Sequence, residues 1–377
     1  MATFRSTTLV QIERAEVFLV PLRLREPFES SAATVQDRII MLVALHGDGN
    51  TGWGECVAGE TPHYSPETTE TAWHVLTRFL LPAVVGRAHV GGAGVVRNVW
   101  APVRGHPMAK AAVEMAAWDL QAKRDNVSLC TAIGGTRRAV PVGVSIGLQH
   151  DDDTLLEQIG SSLEEGYLRV KIKIRPGRDV DMLRSVRDRF PTASLMVDAN
   201  SSYTIADLVR LRELDDLGLM MIEEPLAPGD FQGYAELQAA LRTPVCLDES
   251  IGSAVDAERA IEMGSCRVIN VKPGRVGGFG EARSIHDLCL GSGVPVWCGG
   301  MLESGVGRAH NVALSTLPGF TLPGDISASR RYWERDLVDP EWEVAGGSLT
   351  PLESPGIGVE PDRARIEDLS VRRTEIA

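Results

Sequence analysis

Six charged residues occupy five nearly evenly spaced places between positions 171 and 272 of the chain. In order, they are Lys171, Lys173, Asp198, Glu223, Asp248 and Lys272. Counted from Lys173, the intervals between them are 25, 25, 25 and 24 residues. One strand, one helix and two loops fill an interval of this length, so the spacing predicts that all six lie at the same end of consecutive parallel strands.

The three carboxylates in this set predict a metal site. Gathered on neighbouring strands, Asp198, Glu223 and Asp248 would repel one another unless a cation lay between them. Because the set holds oxygen ligands and no His or Cys, it favours a hard ion, Mg²⁺ first and Mn²⁺ as the alternative. The adjacent Glu224 and Glu249 are also acidic, and the pattern leaves open that they are the ligands instead.

The lysines predict proton transfer. Lys171 and Lys173 are two residues apart in the run "VKIKI", so both project from one face of a strand. They form either an exposed pair on the outside of a barrel, or a pair in the site where the Lys171 charge helps Lys173 to act as a base. Arg275, three residues after Lys272, either lowers the proton affinity of that lysine or binds a carboxylate at the rim.

Eight β-branched runs, alternating with segments of helical character, are the elements that would position these residues. They are "VPVGVSIG" (140–147), "RVKIKI" (169–174), "SLMVDAN" (194–200), "LMMIEEP" (219–225), "PVCLDES" (244–250), "RVINVKP" (267–273), "PVWCGG" (295–300) and "FTLPGD" (320–325). This alternation indicates a parallel α/β architecture. A closed barrel gathers the charged strand ends at one mouth, whereas an open sheet strings them along a line.

The first part of the chain has a different pattern. The runs "IERAEVFLVPL", "RIIMLVALHGDG" and "NTGWGEC" predict a meander with a turn at 47–49, and a helix is expected from Pro107. The tail after about Arg330 is rich in Pro and Gly and offers little regular structure. We therefore predict an α+β capping domain over 1–135, a β/α barrel over 136–330, and a C-terminal segment over 331–377 that packs back on the capping domain.

Composition restricts the partners. A formal net charge of −13 argues against nucleic acid or an anionic membrane, which leaves a small molecule. No run is long and apolar enough to cross a membrane, and the N-terminus does not resemble a signal peptide. The six cysteines show no CxxC spacing, which is typical of free thiols in a reducing compartment, so a cytoplasmic protein is expected.

The motifs resemble a known family. "KIK", "VDAN", "IEEP", "LDES" and "NVKPGRVGG", in this order, are similar to those of the enolase superfamily, in its muconate-lactonizing subgroup. "GHPMAKAAVEMAAWDL" and "PVWCGGMLESGVGRAHNVALSTLPGFTLPGD" extend the resemblance to the N-succinylamino acid racemase / o-succinylbenzoate synthase group. The resemblance implies a (β/α)7β TIM-like barrel with an N-terminal α+β capping domain, assembled as a homo-oligomer.

The resemblance also implies roles for individual residues. The three carboxylates would bind Mg²⁺, Lys173 and Lys272 would face the substrate α-carbon from opposite sides, and Lys171 would support the substrate carboxylate and tune Lys173. The implied substrate contacts are Ser145, Asn200, Gly300, Met301 and Glu303. The capping loops correspond to "FESSAATVQ" and "CVAGETPHY", and "SSAAT" replaces a shorter "SFG"-like sequence, which predicts a different lid.

The implied chemistry begins with removal of a proton α to a metal-bound carboxylate, which gives an enolate. Return of a proton to the other face racemises an N-acylamino acid, whereas loss of a β-hydroxyl forms o-succinylbenzoate, a step of menaquinone synthesis. A dipeptide epimerase or a muconate cycloisomerase is the alternative within the family, although only Asp325 stands where an epimerase would carry an Asp-x-Asp pair. A Schiff-base aldolase and a non-catalytic barrel are the alternatives outside it.

Overall fold

The structure is a computed structural model that describes residues 9–29 and 34–377. The N-terminal region contains five strands: β1 (Leu9–Ile12), β2 (Arg14–Glu29), β3 (Thr34–Gly47), β4 (Asn50–Cys56) and β5 (Arg87–Val90). Strands β2, β3 and β4 form the predicted antiparallel meander. Its turn consists of Asp48 and Gly49, both with positive φ, which is the conformation that a two-residue hairpin loop requires.

Helices cover one face of this meander. They are α1 (Thr69–Val75), which continues as a π-helix over Leu76–Leu80, α2 (Leu81–Val84), α3 (Ala93–Val96), α4 (Pro107–Arg124) and α5 (Leu129–Ala132). Helix α4 begins at Pro107, as predicted. It packs closely on β4, because a β-carbon on Gly54 would come within 2.1 Å of the Ala112 carbonyl oxygen. The glycines of "TGWGEC" therefore allow the helix to approach the sheet.

Seven strands form one parallel sheet, in the order β13-β12-β11-β10-β9-β8-β7. After the short strand β6 (Val140–Pro141), they are β7 (Val144–Ile146), β8 (Val170–Lys173), β9 (Leu195–Asp198), β10 (Ile222–Glu223), β11 (Val245–Leu247), β12 (Val268–Val271) and β13 (Val296–Cys298). Each lies within one of the predicted runs. The parallel α/β architecture predicted from the alternation is thus confirmed.

The eighth predicted run, 320–325, closes the barrel without forming a regular strand. Phe320 makes an isolated parallel bridge with Val296 of β13, and Gly324 makes one with Val142 between β6 and β7. Pro323 explains the interruption, because proline has no N–H to donate to a ladder of hydrogen bonds. The prediction of a regular eighth strand is therefore wrong. The segment nevertheless occupies the place in the barrel at which that strand was expected.

Helices follow the strands along the chain. They are α6 (Asp152–Glu164), α7 (Val180–Arg189), α8 (Leu208–Arg212), α9 (Phe231–Ala240), α10 (Ala254–Glu262), α11 (Pro273–Val276), α12 (Phe279–Ser292) and α13 (Gly305–Ser315). Short 3-10 turns, Ile205–Asp207 and Glu213–Leu217, flank α8. None of the helices in the described ranges is long and apolar enough to cross a membrane.

The C-terminal tail is more regular than predicted. It contains a 3-10 turn (Ser329–Arg331), β14 (Val338–Asp339), β15 (Ser348–Leu349), β16 (Glu360–Pro361), α14 (Arg363–Leu369) and β17 (Arg372–Ile376). Strand β17 pairs antiparallel with β2 and completes a four-stranded sheet in the order β17-β2-β3-β4. Partners so distant in sequence leave no local signal, which is why the pattern of the tail did not reveal this strand. The three domain boundaries stay predictions.

Candidate active site

The interior of the barrel has an apolar layer beneath a charged one. A buried apolar cluster fills the lower layer: Met196, Met221, Cys246, Val268 and Trp297. Side chains two residues apart on a strand face the same side. The residues two positions beyond the first four members are Asp198, Glu223, Asp248 and Asn270. The apolar layer therefore closes the floor, and the polar groups above it lie at the C-terminal mouth, where barrels carry their sites.

The strand register gives the relative heights of the charged residues. Lys173 pairs with Asp198, and Asp198 pairs with Glu223. The residue opposite Glu223 is Cys246, so Asp248 stands two positions further along β11. Strands in a closed barrel are staggered, which produces this offset. The prediction of equal height thus holds for Lys173, Asp198 and Glu223. It is wrong for Asp248, which lies two residues further along its strand.

Lys171 lies at the centre of the charged layer. Its Nζ is 2.7 Å from Asp325 Oδ2, 2.9 Å from Glu223 Oε2 and 3.1 Å from Asp198 Oδ2. Burial alone would lower the pKa of Lys171, but these carboxylates outweigh it and raise the pKa above its ordinary value. The side chain is buried, so the alternative of an exposed pair on the outer surface is wrong. Lys171 supplies a fixed positive charge at the floor of the mouth.

Lys173 and Lys272 stand on opposite sides of the mouth. They belong to the second and sixth positions around the barrel, with the three carboxylate-bearing strands between them. Lys173 Nζ lies 2.6 Å from Asp198 Oδ2 and 2.6 Å from Asn200 Oδ1. Lys272 lies at the end of β12, and its Nζ is 2.7 Å from Asp248 Oδ2.

The carboxylates are buried and differ in their charge preference. For Asp198, burial favours the neutral acid, but Lys173 and Lys171 hold its pKa well below the ordinary value. For Glu223, burial and the charge of Asp198 raise the pKa. The two neighbouring carboxylates therefore share the same positive charge, and a cation between them would offset their repulsion.

Arg275 binds a carboxylate, as the second of its two alternatives predicts, and its effect on the proton affinity of Lys272 stays a prediction. Its Nη1 contacts Asp248 Oδ1, so the guanidinium binds a carboxylate of the site. The same side chain donates to the carbonyl oxygens of Asn270 at 2.9 Å and Ile251 at 3.2 Å. These bonds fix the loop that follows β12, in which Lys272 is the first residue.

The two extra acidic residues occupy different environments. Glu224 accepts backbone bonds from Asp248 at 2.7 Å and Ser250 at 3.0 Å, and burial raises its pKa to about 8. These hydrogen bonds hold the backbone of the turn that follows β11, so the Glu224 carboxylate has a structural role there. Glu249 lines the cavity, and burial and the charge of Glu224 raise its pKa to about 7. Its buried Oε2 has no hydrogen-bond partner among residues 9–29 and 34–377. Of the two, Glu249 has the free acceptor that a ligand needs.

The donor set suits a hard divalent cation, with one condition. Three buried carboxylates from adjacent strands provide oxygen ligands and negative charge, as Mg²⁺ prefers. As the side chains are placed, no group of three His, Cys, Asp or Glu within 9–29 and 34–377 is arranged to hold a metal ion. Ammonium groups lie between the carboxylates instead, with Lys171 bridging Asp198 and Glu223. Metal binding therefore requires the lysine contacts to loosen.

The mouth opens into a cavity of about 370 Å³ between the barrel and the capping region. Of the predicted site residues, those that line it are Ser145, Lys171, Lys173, Asp198, Asn200, Lys272, Gly300 and Met301. Glu223 and Asp248 lie beneath this surface. Glu303 is not part of the lining, because it is buried and its Oε1 accepts a hydrogen bond from Asn311 Nδ2 at 2.8 Å.

Sequence reasoning did not single out several residues of the cavity wall. Asp325, which Arg169 Nη1 contacts at 2.6 Å, was named only in the comparison with an epimerase, although it is the charged end of the eighth run. Arg38 comes from the capping region and carries no periodic signal, and Tyr64 is the last residue of the predicted capping loop "CVAGETPHY" but was given no role. Ser30–Ala33 of the predicted lid lie outside the described residues, so the prediction for "SSAAT" is untested. Phe28 and Val35, on either side of this gap, line the cavity.

Known proteins share both the sequence and the fold. Residues 13–134 match the profile of the mandelate racemase / muconate lactonizing enzyme N-terminal domain, and residues 154–365 match the enolase C-terminal domain-like profile. The o-succinylbenzoate synthase of Geobacillus kaustophilus is 51% identical over 95% of this chain and 96% of its own length. The N-succinylamino acid racemase of Thermus thermophilus is 47% identical over 93% and 95%.

A solved structure of an enolase-superfamily member from Listeria innocua superimposes with a TM-score of 0.93, at 41% identity, and covers 97% of this chain and 99% of that one. A capped β/α barrel with lysines on opposite strands and carboxylates between them is the arrangement of a proton-abstracting enzyme of that superfamily. The chain belongs to the enolase superfamily, in its muconate-lactonizing subgroup, and to the group of o-succinylbenzoate synthases and N-succinylamino acid racemases.

Proposed function

We propose that the enzyme uses Mg²⁺ to remove the proton α to the carboxylate of a succinyl-bearing substrate. The resulting enolate leads to dehydration, which forms o-succinylbenzoate, or to racemisation of an N-succinylamino acid. One observation carries the proposal: Lys173 and Lys272 line the same cavity from opposite sides of the barrel mouth. A planar enolate held between them exchanges protons on either face.

The three lysines have different roles in the proposed proton transfer. In its neutral form, Lys173 accepts the α-proton: the C–H bond breaks, an N–H bond forms, and the electron pair moves into the carboxylate. Lys171, held as an ammonium by the carboxylates around it, offsets the negative charge that builds up there. Lys272, when protonated, returns a proton to the other face in racemisation. In dehydration the electron pair instead expels a β-hydroxyl, which takes up the proton that Lys173 removed and leaves as water.

The metal would be held by Asp198, Glu223 and Asp248, with Glu249 as a further acceptor. When bound, Mg²⁺ supplies Lewis-acid charge at the substrate carboxylate. The apolar floor beneath the site excludes water, which strengthens these electrostatic interactions. The support for this set is the register, the burial of the carboxylates and their oxygen-only chemistry.

The alternatives within the family find less support. The carboxylate of Asp325, where an epimerase would bind a dipeptide ammonium, is committed to Arg169 and Lys171. Relatives at about half identity are named o-succinylbenzoate synthase and N-succinylamino acid racemase, not cycloisomerase. We therefore place the enzyme in menaquinone synthesis or N-succinylamino acid metabolism, as a cytoplasmic homo-oligomer that binds neither nucleic acid nor membrane. The six unpaired cysteines agree with a reducing compartment.

The proposal is tested with purified enzyme in D₂O. With Mg²⁺, we expect exchange of the α-proton of an N-succinylamino acid and dehydration of the cyclohexadiene precursor of o-succinylbenzoate. Exhaustive chelation abolishes both, and Mg²⁺ or Mn²⁺ restores them. Calorimetric titration with Mg²⁺ gives an independent reading, because Glu223→Gln should weaken binding at least about tenfold. An enzyme that catalyses neither exchange nor dehydration would refute the proposal.

A further inference from the structure

The two lysines are not equivalent in the way they are held. The hydrogen-bond partners of Lys173 among the described residues, Asp198 and Asn200, both belong to the barrel. Lys272 is bonded to Asp248 of the barrel, but its Nζ also donates to the hydroxyl of Tyr64 at 3.1 Å. Tyr64 comes from the capping region, 208 residues away in sequence. Among the described residues, the ammonium of Lys272 is thus bonded to the cap as well as to the barrel, whereas that of Lys173 is bonded to the barrel.

The Tyr64 ring adds a second interaction with the same ammonium. Lys272 Nζ lies 5.1 Å from the centre of the ring, within the range of a cation–π contact. Tyr64 lines the cavity, so both interactions take place at the wall that faces the substrate. The phenol therefore restrains Lys272 in direction and in distance.

The loop that presents Tyr64 is fixed at both of its ends. At the start, Arg38 donates to the carbonyl oxygens of Val57 at 2.8 Å and Ala58 at 3.2 Å. At the end, the carboxylate of Glu67 accepts from the backbone N–H groups of Met108 at 2.8 Å and Ala109 at 3.0 Å, at the N-terminus of α4. A loop held in this way places Tyr64 without a large loss of conformational entropy on binding.

The cap loop also lies directly against the barrel loop that follows Lys272. A β-carbon on Gly274 would come within 2.6 Å of Val57 Cγ2, so the absence of a side chain there allows the contact. Gly274 is buried in α11, two residues after Lys272. The Tyr64 loop and the Lys272 loop therefore form one packed unit across the two regions.

We infer that Tyr64 is a positioning residue for Lys272, so that the capping region controls proton transfer on the face of the substrate that Lys272 serves. The inference rests on the proposed function, because it assigns each face of the α-carbon to one lysine. Its consequence is stereochemical: loss of the Tyr64 hydroxyl should unbalance the two faces. A general disturbance of the site would instead slow proton exchange on both faces equally.

The test is α-proton exchange of N-succinyl-L- and N-succinyl-D-phenylalanine, measured separately in D₂O by NMR at initial rates. Lys173→Ala and Lys272→Ala first assign each enantiomer to the lysine that it faces. Tyr64→Phe keeps the ring and removes the hydroxyl, and should shift the ratio of the two exchange rates about tenfold against the Lys272 face, as expected for loss of a hydrogen bond to a charged group. Tyr64→Leu, which also removes the ring, should shift the ratio further.

Tyr332 provides the matched control. It lines the same cavity but stacks with the Arg308 guanidinium, so Tyr332→Phe should leave the ratio unchanged whatever its effect on the individual rates. Thermal unfolding of each variant confirms that it is folded. A ratio for Tyr64→Phe within twofold of that of the unmodified enzyme overturns this inference alone. Absence of exchange by the unmodified enzyme overturns the inference, and absence of dehydration as well overturns the proposed function.

Discussion

The barrel mouth and the seam between barrel and cap are built in different ways. The mouth takes its charged groups from consecutive strands, whose register fixes Lys173, Asp198 and Glu223 side by side. The seam takes its groups from loops that meet only after the two regions pack, as Tyr64 meets Lys272. The proton-transfer groups are thus tied to the most rigid part of the fold, whereas the groups that tune them lie where sequences change most easily.

A second difference is chemical. The mouth pairs Asp198, Glu223 and Asp248 each with a lysine or an arginine, so the charges of these three carboxylates are compensated. The seam buries Glu55, which contacts no cation in the part of the chain that the structure describes and accepts bonds from Ser304 Oγ at 2.6 Å and from Gly307 N at 2.9 Å. A buried carboxylate without a cation favours its neutral form. The mouth is therefore expected to control catalysis, and the seam to control stability and its dependence on pH.

Removal of a lysine from the mouth should have the largest effect. Lys173→Ala removes the base on one face, so exchange of one enantiomer of the substrate should fall about 10²–10⁴-fold. Lys272→Ala should have the same effect on the other enantiomer, and racemisation should be lost in both variants. The exchange rate of each enantiomer is measured separately for both variants. If each variant lost exchange equally for both enantiomers, the assignment of one lysine to each face of the substrate would be contradicted.

A side chain forced into the seam should have the next largest effect. Gly274→Ala places a methyl group against Val57 and should lower the free energy of unfolding by about 1–3 kcal/mol. Gly291→Ala is the control, because this glycine of α12 has open space around it and should gain about 0.5–1 kcal/mol from helix propensity. Urea denaturation measures both. If the two variants had the same free energy of unfolding, the close contact between Gly274 and Val57 would not be needed for stability.

The pH dependence of stability should show the smallest effect. Burial raises the pKa of Glu55 from 4.5 to about 7, so the folded protein holds a proton that the unfolded chain releases. Glu55 therefore contributes stability that is present below about pH 4.5 and is lost as the pH rises through 7. Glu55→Gln should flatten this decline by up to about 1.4 kcal/mol per pH unit.

Denaturant titrations at pH 5, 6 and 7 measure that slope. Glu375→Gln, at an exposed position of β17, is the control and should leave the slope unchanged. Parallel pH profiles for Glu55→Gln and the unmodified enzyme would show that Glu55 does not titrate in this range, and would remove the contrast between seam and mouth.

Particular residues show how far the sequence predicts the site. The spacing from Lys173 to Lys272 predicted the strand ends, because the length of one β/α unit is a local property. The sequence named Asp325 only as the counterpart of an epimerase pair and did not predict its contact with Lys171, and it predicted Glu303 as a substrate contact although its side chain bonds Asn311. The direction of a loop side chain depends on its neighbours in space, and the loop sequence does not contain them.

By itself, the sequence determined the parallel α/β barrel, the order of its charged strand ends and the two lysines that flank the carboxylates. These features follow from local periodicity and from the repeat of one strand and one helix. Only the tertiary structure decided that Lys171 is shared among three carboxylates, that β17 joins the N-terminal sheet, and that Tyr64 holds Lys272. Such contacts join segments distant in sequence, and packing between whole regions of the fold brings them together.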